Sequence, residues 1–351
     1  MNMEHYLEQL DLTEMMDKLE NLFGRQQWDP AGLFDRILQG NVKEAAGQVW
    51  QEIGGSFAAE FAGMREIFAS VLLLGMLSVL VSGFLTGFEN RQIAEIAHSV
   101  FYLLLLAVLF RIFSRCYLTA QRILETMTQF ARLVLPALCL SLGPAAGSVT
   151  AAGYYELALV LIFIMERFLS GLCLPLLPVL MLLLVMNGVW EEGKLAPLME
   201  LIKKGLAAAA KFSLAAVTGL GFLQSMVAPA LDGLKRTAAQ KAVMAIPGIG
   251  SLAEGTTQLL LGSAVLLKNS LGVFALLLLV LLVAVPFGEI FLYGALLKLA
   301  GALVGTVADR RLTACMTGVS EFIFLALRLA GSATACFVIM TAIVTCLVGN
   351  G

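Results

Sequence analysis

The stretch FLSGLCLPLLPVLMLLLVMNGVW, residues 168–190, contains no charged side chain and decides the fold class of this chain. The hydrocarbon core of a bilayer is about 30 Å thick, and a helix that rises about 1.5 Å per residue needs about 20 apolar residues to cross it. Comparable uncharged runs lie at 67–88, 133–155, 269–288 and 329–351. The chain is therefore predicted to be a polytopic membrane protein.

Composition agrees with a membrane location. Hydrophobic residues form 59% of the 351 residues and only 14% are charged, against about 25% in ordinary soluble domains. The mean hydropathy is +0.89. Charge is also unevenly distributed, because residues 1–66 carry 12 acidic and 5 basic side chains, whereas the remainder carries 13 and 18. An acidic head therefore precedes a weakly basic membrane body.

The acidic head is predicted to be helical. Apolar residues recur in it at three- and four-residue spacing, which places them on one side of a helix, and Asp29 followed by Pro30 is a helix start signal. We predict an acidic amphipathic helical region, 1–63, and a polytopic membrane domain, 64–351. The apolar faces of the head could form a small bundle, or lie on the membrane or on a partner. The first such face consists of Leu12, Met15, Met16, Leu19, Leu22 and Phe23.

The membrane body is predicted to contain about 6–8 membrane helices, some broken or re-entrant, in an all-α fold. The first span is 67–88, and a shorter second one lies near 96–110. Glu166 and Arg167 separate a span at 155–165 from one at 171–190. Prolines at several positions predict bends, most of all in the run 133–155, where a re-entrant or kinked element competes with a plain span.

The side of the membrane on which the head lies stays open. Four arginines follow the second span, which indicates a cytoplasmic segment, whereas the acidic head favours the outside.

No apolar run follows the first ten residues, so no cleavable signal peptide is expected. Either the first span acts as the targeting signal or an upstream signal is missing. The six cysteines show no paired spacing and are interpreted as small core residues. The four arginines are Arg111, Arg115, Arg122 and Arg132.

Between residues 231 and 271 the sequence departs from a simple span. Basic side chains come first, then the Pro247-Gly248 pair, through which a helix cannot be expected to continue. Two short helices around an irregular turn are predicted, either at a contact or conduit region or as a broken helix at the headgroup level. The candidate assembly or conduit residues in this segment are Lys235, Arg236, Lys241, Pro247, Gly248, Gly250 and Glu254.

The string KRTAAQKAVMAIPGIGSLAEGTTQLLLGSAVLLKNSLG, residues 235–272, resembles the stage III sporulation protein AE family of endospore-forming bacteria. The similarity extends from about Phe61 to the C-terminus. The resemblance implies a polytopic subunit in the mother-cell membrane around the forespore. It also implies other stage III membrane subunits and a forespore channel partner, with which the subunit forms a channel-like apparatus across the two membranes. Members of that family can begin with a signal peptide, which is not visible here.

The family resemblance brings no enzymatic activity, and the residues give none. The histidines are His5 and His98, and neither HExxH nor GxxxxGK[ST] occurs in the sequence, so a zinc protease or P-loop site is not predicted. We expect no catalytic residues, no metal, no cofactor and no nucleic acid partner. Besides its protein partners, the chain is expected to contact the lipid bilayer.

Charged side chains within apolar stretches are more informative about function than the search for catalytic motifs. A charge in the bilayer centre is costly, so such groups are normally paired, near an interface or facing water. Glu289, Glu321 and Arg328 each lie within or beside a candidate span, which favours a buried pairing or the lining of a conduit. Small-residue GxxxG spacings at 83–87, 143–147 and 301–305 permit close helix packing.

Two classes of function fit these patterns. The first is a non-enzymatic membrane subunit of a multiprotein secretion-like channel, which the family resemblance favours. The second is a self-contained transporter or permease, which the broken helices and buried charges favour. A transporter is expected to show an internal repeat. The sequence contains only a weak echo of one, between GSAVLLKNSLG and GALLKLAGALVG.

Overall fold

A computed structural model describes residues 30–85, 91–146, 160–189, 194–219, 250–306 and 310–346. Within these ranges the chain is helical apart from short turns, and they contain no strand, so the predicted all-α class is confirmed. The first predicted apolar face of the head, from Leu12 to Phe23, lies outside the described residues. The helices are α1 (Pro30–Leu38), α2 (Val42–Leu85), α3 (Arg91–Ala146), α4 (160–168), α5 (Leu176–Val189), α6 (196–219), α7 (Gly250–Val304) and α8 (Arg310–Cys346).

Helix α2 runs without interruption through the predicted boundary between residues 63 and 64. Its 44 residues correspond to about 66 Å of helix. Ala45, Val49 and Ile53 are buried at a spacing of four, while polar positions around them are exposed. The described part of the head is therefore an amphipathic extension of a membrane-directed helix. The functional division at this boundary stays a prediction.

Helices α3 and α7 are much longer than a bilayer is thick. Helix α3 has 56 residues and α7 has 55, which correspond to about 84 and 82 Å. Helix α3 continues through Pro136 to Ala146, where a kinked or re-entrant element had been an expectation. Likewise Pro286 lies inside α7. A proline removes one backbone hydrogen bond, and packing against neighbouring helices can preserve the helix around it.

The two spans predicted on either side of Glu166 and Arg167 form one helical segment. Residues Val160–Gly188 make a single candidate span, interrupted only by a π-turn at Leu169–Cys173 and a turn at 174–175. The amide of Leu174 donates to the carbonyl of Leu169 at 2.8 Å. Because Pro175 has no amide proton, the wider turn before it accommodates the break in the hydrogen-bond ladder. The prediction that Glu166 and Arg167 separate two spans is therefore wrong.

Four helices in the described ranges are long and apolar enough to cross a membrane, fewer than the 6–8 predicted. One reason is the fusion of two predicted spans just described. Another is that the predicted first span, 67–88, and a further uncharged apolar run at 212–231 both extend into residues outside the described ranges. The four candidate spans are Val100–Val134, Val160–Gly188, Ser270–Val304 and Arg311–Ala342.

The long helices pack side by side in a bundle. Helices α7 and α8 form an antiparallel hairpin, in which Ser320 Oγ donates to the carbonyl of Gly294 at 2.9 Å. Both glycines of the GxxxG spacing at 301–305 face α8: a Cβ on Gly301 would lie 3.4 Å from Met316 Cβ, and Gly305 lies against Thr313. Small residues thus let the two helices approach closely.

Helix α3 completes the centre of the bundle. Its Phe130 ring lies 5.4 Å from the Phe337 ring of α8, in an edge-to-face arrangement. Ile112 packs near Leu296 of α7, whereas Thr119, further along α3, contacts Glu289, which comes earlier in α7. Helix α3 is therefore antiparallel to α7.

Candidate functional site

The predicted site residues divide into described and undescribed groups. Lys235, Arg236, Lys241, Pro247 and Gly248 lie outside the described residues, so the predicted helix–break–helix stays a prediction. Gly250 is the first residue of α7, and Glu254 follows within its opening turns. The remaining three, Glu289, Glu321 and Arg328, have described side chains.

Glu289 pairs with an arginine on another helix. Arg115 Nε on α3 donates to Glu289 Oε1 at 2.6 Å, which also makes a salt bridge. The second carboxylate oxygen accepts a longer hydrogen bond from Thr119 Oγ1 at 3.4 Å. Both oxygens of the carboxylate thus face donors on α3, which is how a partly buried carboxylate is normally satisfied.

The sequence positions these groups by helical spacing. Arg115 and Thr119 are four residues apart on α3, and Glu289 and Tyr293 are four apart on α7, so each pair shares one helix face. The Arg115 guanidinium carbon lies 5.6 Å from the centroid of the Tyr293 ring, within the range of a cation–π contact. The arginine is therefore held between a carboxylate and an aromatic face.

A glycine next to the carboxylate brings a third helix close. The ring of Phe57 on α2 packs against Gly288, so closely that a Cβ there would overlap the ring. The Glu289 side chain is 11% exposed, whereas that of Arg115 is 47% exposed. Removal of the arginine would leave a largely desolvated carboxylate with one weak neutral donor, which is more costly than the loss of an exposed ion pair.

A second group of charges joins α6 to α8. Lys203 Nζ lies 2.9 Å from Glu321 Oε2 and 3.0 Å from Glu200 Oε2. Lys204 Nζ lies 3.7 Å from the other Glu200 oxygen. Glu321 is therefore paired across helices with Lys203 of α6, but its side chain is 51% exposed, so this is not the buried pairing that was one of the two expectations.

The ionisation of this second group follows its contacts. Burial lowers the pKa of Lys203, but the hydrogen bonds and charges of Glu321 and Glu200 outweigh burial and raise that pKa above its usual 10.5. The hydrogen bond and charge of Lys203 lower the pKa of Glu200 below its usual 4.5. All these groups are partly or fully exposed, so solvent screening limits their effect on stability.

Arg328 differs from the other two described site residues. It lies seven residues after Glu321, which places it on the same side of α8 two turns away. Its side chain is exposed, and no acidic group in the described part of the chain pairs with it. The three charges are thus not brought into one cluster: Glu289 faces α3, Glu321 faces α6, and Arg328 faces outwards.

Several contributing residues were not recognised from sequence. From the sequence, Arg115 is only one of four arginines that indicate a cytoplasmic segment. Thr119, Tyr293 and Glu200 carried no expectation. The four-residue spacings from Arg115 to Thr119 and from Glu289 to Tyr293 are a usable signal. Neither spacing identifies the partner helix, which only packing determines.

The pocket and the thiols that the structure describes near these helices are apolar and buried. One apolar pocket, between α3, α4, α6 and α8, has a cavity volume of about 30 Å³, which is room for a water molecule rather than a ligand. The described ranges contain no group of three metal-ligating side chains. The four cysteines whose side chains are described, Cys116, Cys173, Cys315 and Cys336, are buried free thiols. The charged side chains described above can form ion pairs between helices, and Arg328 presents a positive charge at the surface.

Comparison with known proteins gives a family. The sequence profile of the family described as Stage III sporulation protein AE (spore_III_AE) matches residues 28–348. A relative named Stage III sporulation protein AE, from Bacillus subtilis (strain 168), is 23% identical over 266 residues, which cover 75% of this chain and 67% of the relative. No solved structure matches the chain.

Proposed function

This chain belongs to the stage III sporulation protein AE family, and we propose that it is a non-enzymatic, multi-pass subunit of the channel-like complex that connects the mother cell with the forespore. The observation that carries the proposal is the family match over residues 28–348, which includes every helix that the structure describes. The all-helical fold with four membrane-capable helices supports a membrane role.

We assign the interhelical charges a part in holding the subunit together. The Arg115–Glu289 pair connects α3 with α7, and the Lys203–Glu321 pair connects α6 with α8. Polar contacts between helices fix their register in a bundle where apolar surface gives little direction. On this proposal Arg328, which stays without a partner in the described chain, is available to a neighbouring subunit.

The proposed location is the mother-cell membrane around the forespore, and the proposed partners are other stage III sporulation membrane subunits and a forespore channel partner. The apolar runs 67–88 and 212–231 add two spans to the four candidates, which gives 6 in total and reaches the lower end of the predicted range. The segment from Lys235 to Glu254 is proposed to contact other subunits.

The decisive experiment is the isolation of tagged full-length protein from sporulating cells. Stable co-purification of other stage III membrane subunits supports the proposal, and a deletion strain should fail to complete spores until the gene is restored. A protein that purifies alone and restores uptake of a solute into vesicles would instead be a self-contained transporter. That outcome would overturn the proposed function.

A further inference from the structure

The exposed positions of α3 between residues 111 and 132 form one straight line, the polar stripe. They follow one another at alternating spacings of four and three residues, which keeps them on one side of a helix. All of them except Leu118 are charged or polar. The stripe is about 31 Å long, as much as a hydrocarbon core is thick. Its members are Arg111, Arg115, Leu118, Arg122, Glu125, Gln129 and Arg132.

The candidate span Val160–Gly188 lies beside the same part of α3. At one end Tyr102 packs against Gly188. At the other end Leu124 of α3 lines a pocket together with Leu161. The span formed by α4 and α5 is therefore antiparallel to α3 and covers the same depth as most of the polar stripe.

The outer side of that span is suited to lipid. Apart from Arg167, no exposed residue between Val160 and Gly188 is polar. An apolar surface of this length is too large to leave in water, so hydrocarbon is its natural environment. The polar stripe, at the same depth, thus lies at the level of the hydrocarbon core. The large exposed side chains of the span are Val160, Phe163, Ile164, Leu172, Val179, Leu182 and Met186.

Helices α7 and α8 place the stripe at the same depth. Thr119, near the middle of the stripe, contacts Glu289 of α7, and the exposed apolar Val280 comes shortly before Glu289 on that helix. Phe130 packs on Phe337, inside the candidate span of α8. The four candidate spans therefore occupy one slab, and the polar stripe lies within it.

Helix α2 extends the polar surface at this depth. Phe57 packs on Gly288, and Met64 lies in one apolar cluster with Ile112 of α3. From residue 51 to residue 70 of α2, the described exposed side chains are charged, polar or no larger than alanine. This side of α2 and the polar stripe of α3 together form the polar wall. The charged side chains that α2 adds to it are Glu52, Arg65 and Glu66.

Lipid cannot cover the polar wall. A charge in hydrocarbon is costly, so such groups are paired, reach an interface or face water. Arg115 is paired with Glu289, and arginines at the two ends of the stripe can extend their side chains towards the headgroups. Arg122 lies between those ends and has no ion pair in the described chain. Its exposed guanidinium therefore needs water or another protein beside it.

The side chains of the stripe are unsuited to a tightly packed neighbouring helix. Helices in membranes approach closely through small residues, as α7 approaches α8 at Gly301 and Gly305. The polar stripe contains no small residue, and a helix packed on it would remove water from the unpaired Arg122. Charged side chains at membrane depth that lack a partner typically border a water-filled cavity.

We propose that the polar wall of α2 and α3 borders a water-filled passage through the membrane, while lipid covers the outer side of α4 and α5. The wall carries charges of both signs, so it suits small hydrophilic solutes rather than ions of one sign. This inference rests on the proposed channel-like complex, because one chain supplies one wall and neighbouring subunits must supply the others.

The test uses the full chain in membranes from sporulating cells, opened so that a reagent reaches both faces. Single cysteines are introduced at three positions of similar depth, as Ala62→Cys and Leu118→Cys on the wall and Leu172→Cys on the lipid side. Leu118 and Leu172 both lie between the contacts at Gly188 and Leu161. The reagent is sulfonatoethyl methanethiosulfonate, which is small, anionic and insoluble in hydrocarbon. Mass spectrometry identifies the modified positions, and the chain with only its native cysteines gives the background.

Reaction at Ala62→Cys and Leu118→Cys is expected to be at least about tenfold faster than at Leu172→Cys, because the reactive thiolate forms in water and not in hydrocarbon. Slow reaction at all three positions would mean that lipid or protein covers the wall. Reaction at Leu172→Cys as fast as at Leu118→Cys would mean that the outer side of α4 and α5 is not in lipid. Either result overturns the inference.

Co-purification of partner subunits from the same membranes separates this test from that of the proposed function. Partners that co-purify with a protein protected at positions 62 and 118 would remove the inference and leave the proposed complex in place. A protein that purifies alone and still reacts at both positions would remove the proposed complex and keep the water-facing wall.

A second pair of variants avoids thiol chemistry. Leu118→Arg adds a charge to the wall, and Leu172→Arg adds one to the lipid side. The amount of Leu118→Arg in the membrane fraction is expected to stay within about twofold of wild type, whereas that of Leu172→Arg should fall severalfold, since its charge would face hydrocarbon. Equal amounts of the two variants, both normal or both reduced, would contradict the assignment of the two sides.

Discussion

The ring of Phe57 on α2 packs directly on the backbone of Gly288 on α7, one residue before the ion-paired Glu289. A Cβ at this glycine would overlap the ring. The close approach of α2 and the position of the carboxylate therefore depend on the same turn of α7.

Gly288→Ala is expected to destabilise the protein by about 1–3 kcal/mol, because an added methyl forces the Phe57 ring or the whole of α2 to shift. Thermal unfolding in detergent measures the effect. The double variant Gly288→Ala with Phe57→Leu should recover part of the loss, since the smaller side chain leaves room for the methyl. Independent, additive effects of the two substitutions would contradict the contact.

Arg115→Gln is expected to lower stability by about 1–2 kcal/mol, because it leaves the largely buried Glu289 carboxylate without its charged partner. Glu289→Gln should cost less, since a neutral amide can still accept from Thr119. The matched control is Arg122→Gln, an exposed arginine on the same face of α3. Equal melting temperatures for the Arg115 and Arg122 variants would show that the pair contributes nothing.

The Lys203 group is expected to respond to pH only at the extremes. The raised pKa of Lys203 means that its contribution is complete below 10.5 and is lost as pH rises through the higher folded value. The lowered pKa of Glu200 means that its contribution is present above 4.5 and is lost as pH falls through the lower folded value. Lys203→Met should therefore reduce the melting temperature most between these limits. A difference from wild type that varies between about pH 6 and pH 9 would point to another group.

Gly294→Leu should separate α7 from α8. A Cβ at Gly294 would already lie 3.2 Å from Ile323 and from Phe324, so a larger side chain must displace the helix and is expected to cost about 2 kcal/mol or more. Gly205→Leu is the control, because nothing lies within 4 Å of a Cβ at that helical glycine. It should be neutral or slightly stabilising. A loss of stability of similar size at both positions would mean that replacing any helical glycine has this effect, and that the contact between α7 and α8 is not its cause.

Gly248→Val and Gly250→Val are expected to leave membrane insertion intact and to reduce complex assembly, because Cβ atoms are added close to Pro247, where an irregular turn is predicted. Membrane fractionation reports insertion, and co-purification of partner subunits reports assembly. Normal assembly together with normal spore yield for both variants would show that the break is an incidental loop.

Sequence patterns predicted the helical class and the family, and both are confirmed. Uncharged runs longer than about 20 residues have no other common explanation than a membrane helix, and the string at 235–272 mixes polar and apolar positions in a family-specific way. Glu289 was singled out because a charge beside a long apolar run must be accommodated. Its partner could not be found that way, since Arg115 lies 174 positions earlier and only helix packing brings the two together.

The number and bounds of the spans were predicted less well. Glu166 and Arg167 were interpreted as a boundary, yet the helix continues through them because both side chains lie at the surface or its margin. Pro136, where a kinked or re-entrant element was one expectation, is likewise contained in a long helix. Local signals for a break compete with the packing of neighbouring helices, which a single sequence does not display.

The unbroken course of α2 has a mechanical consequence. Helix α2 is continuous over roughly 66 Å, so its two ends are expected to move together. One end, near Lys43, stands beside α1, whose Phe34 ring is held 5.1 Å from that of Phe274 on α7. The other end carries the apolar side chains from Leu73 to Leu80. Because α2 has no break between its ends, a tilt of the end near Leu80 also displaces the end near Lys43. The contact of Phe57 with Gly288 lies between the two ends.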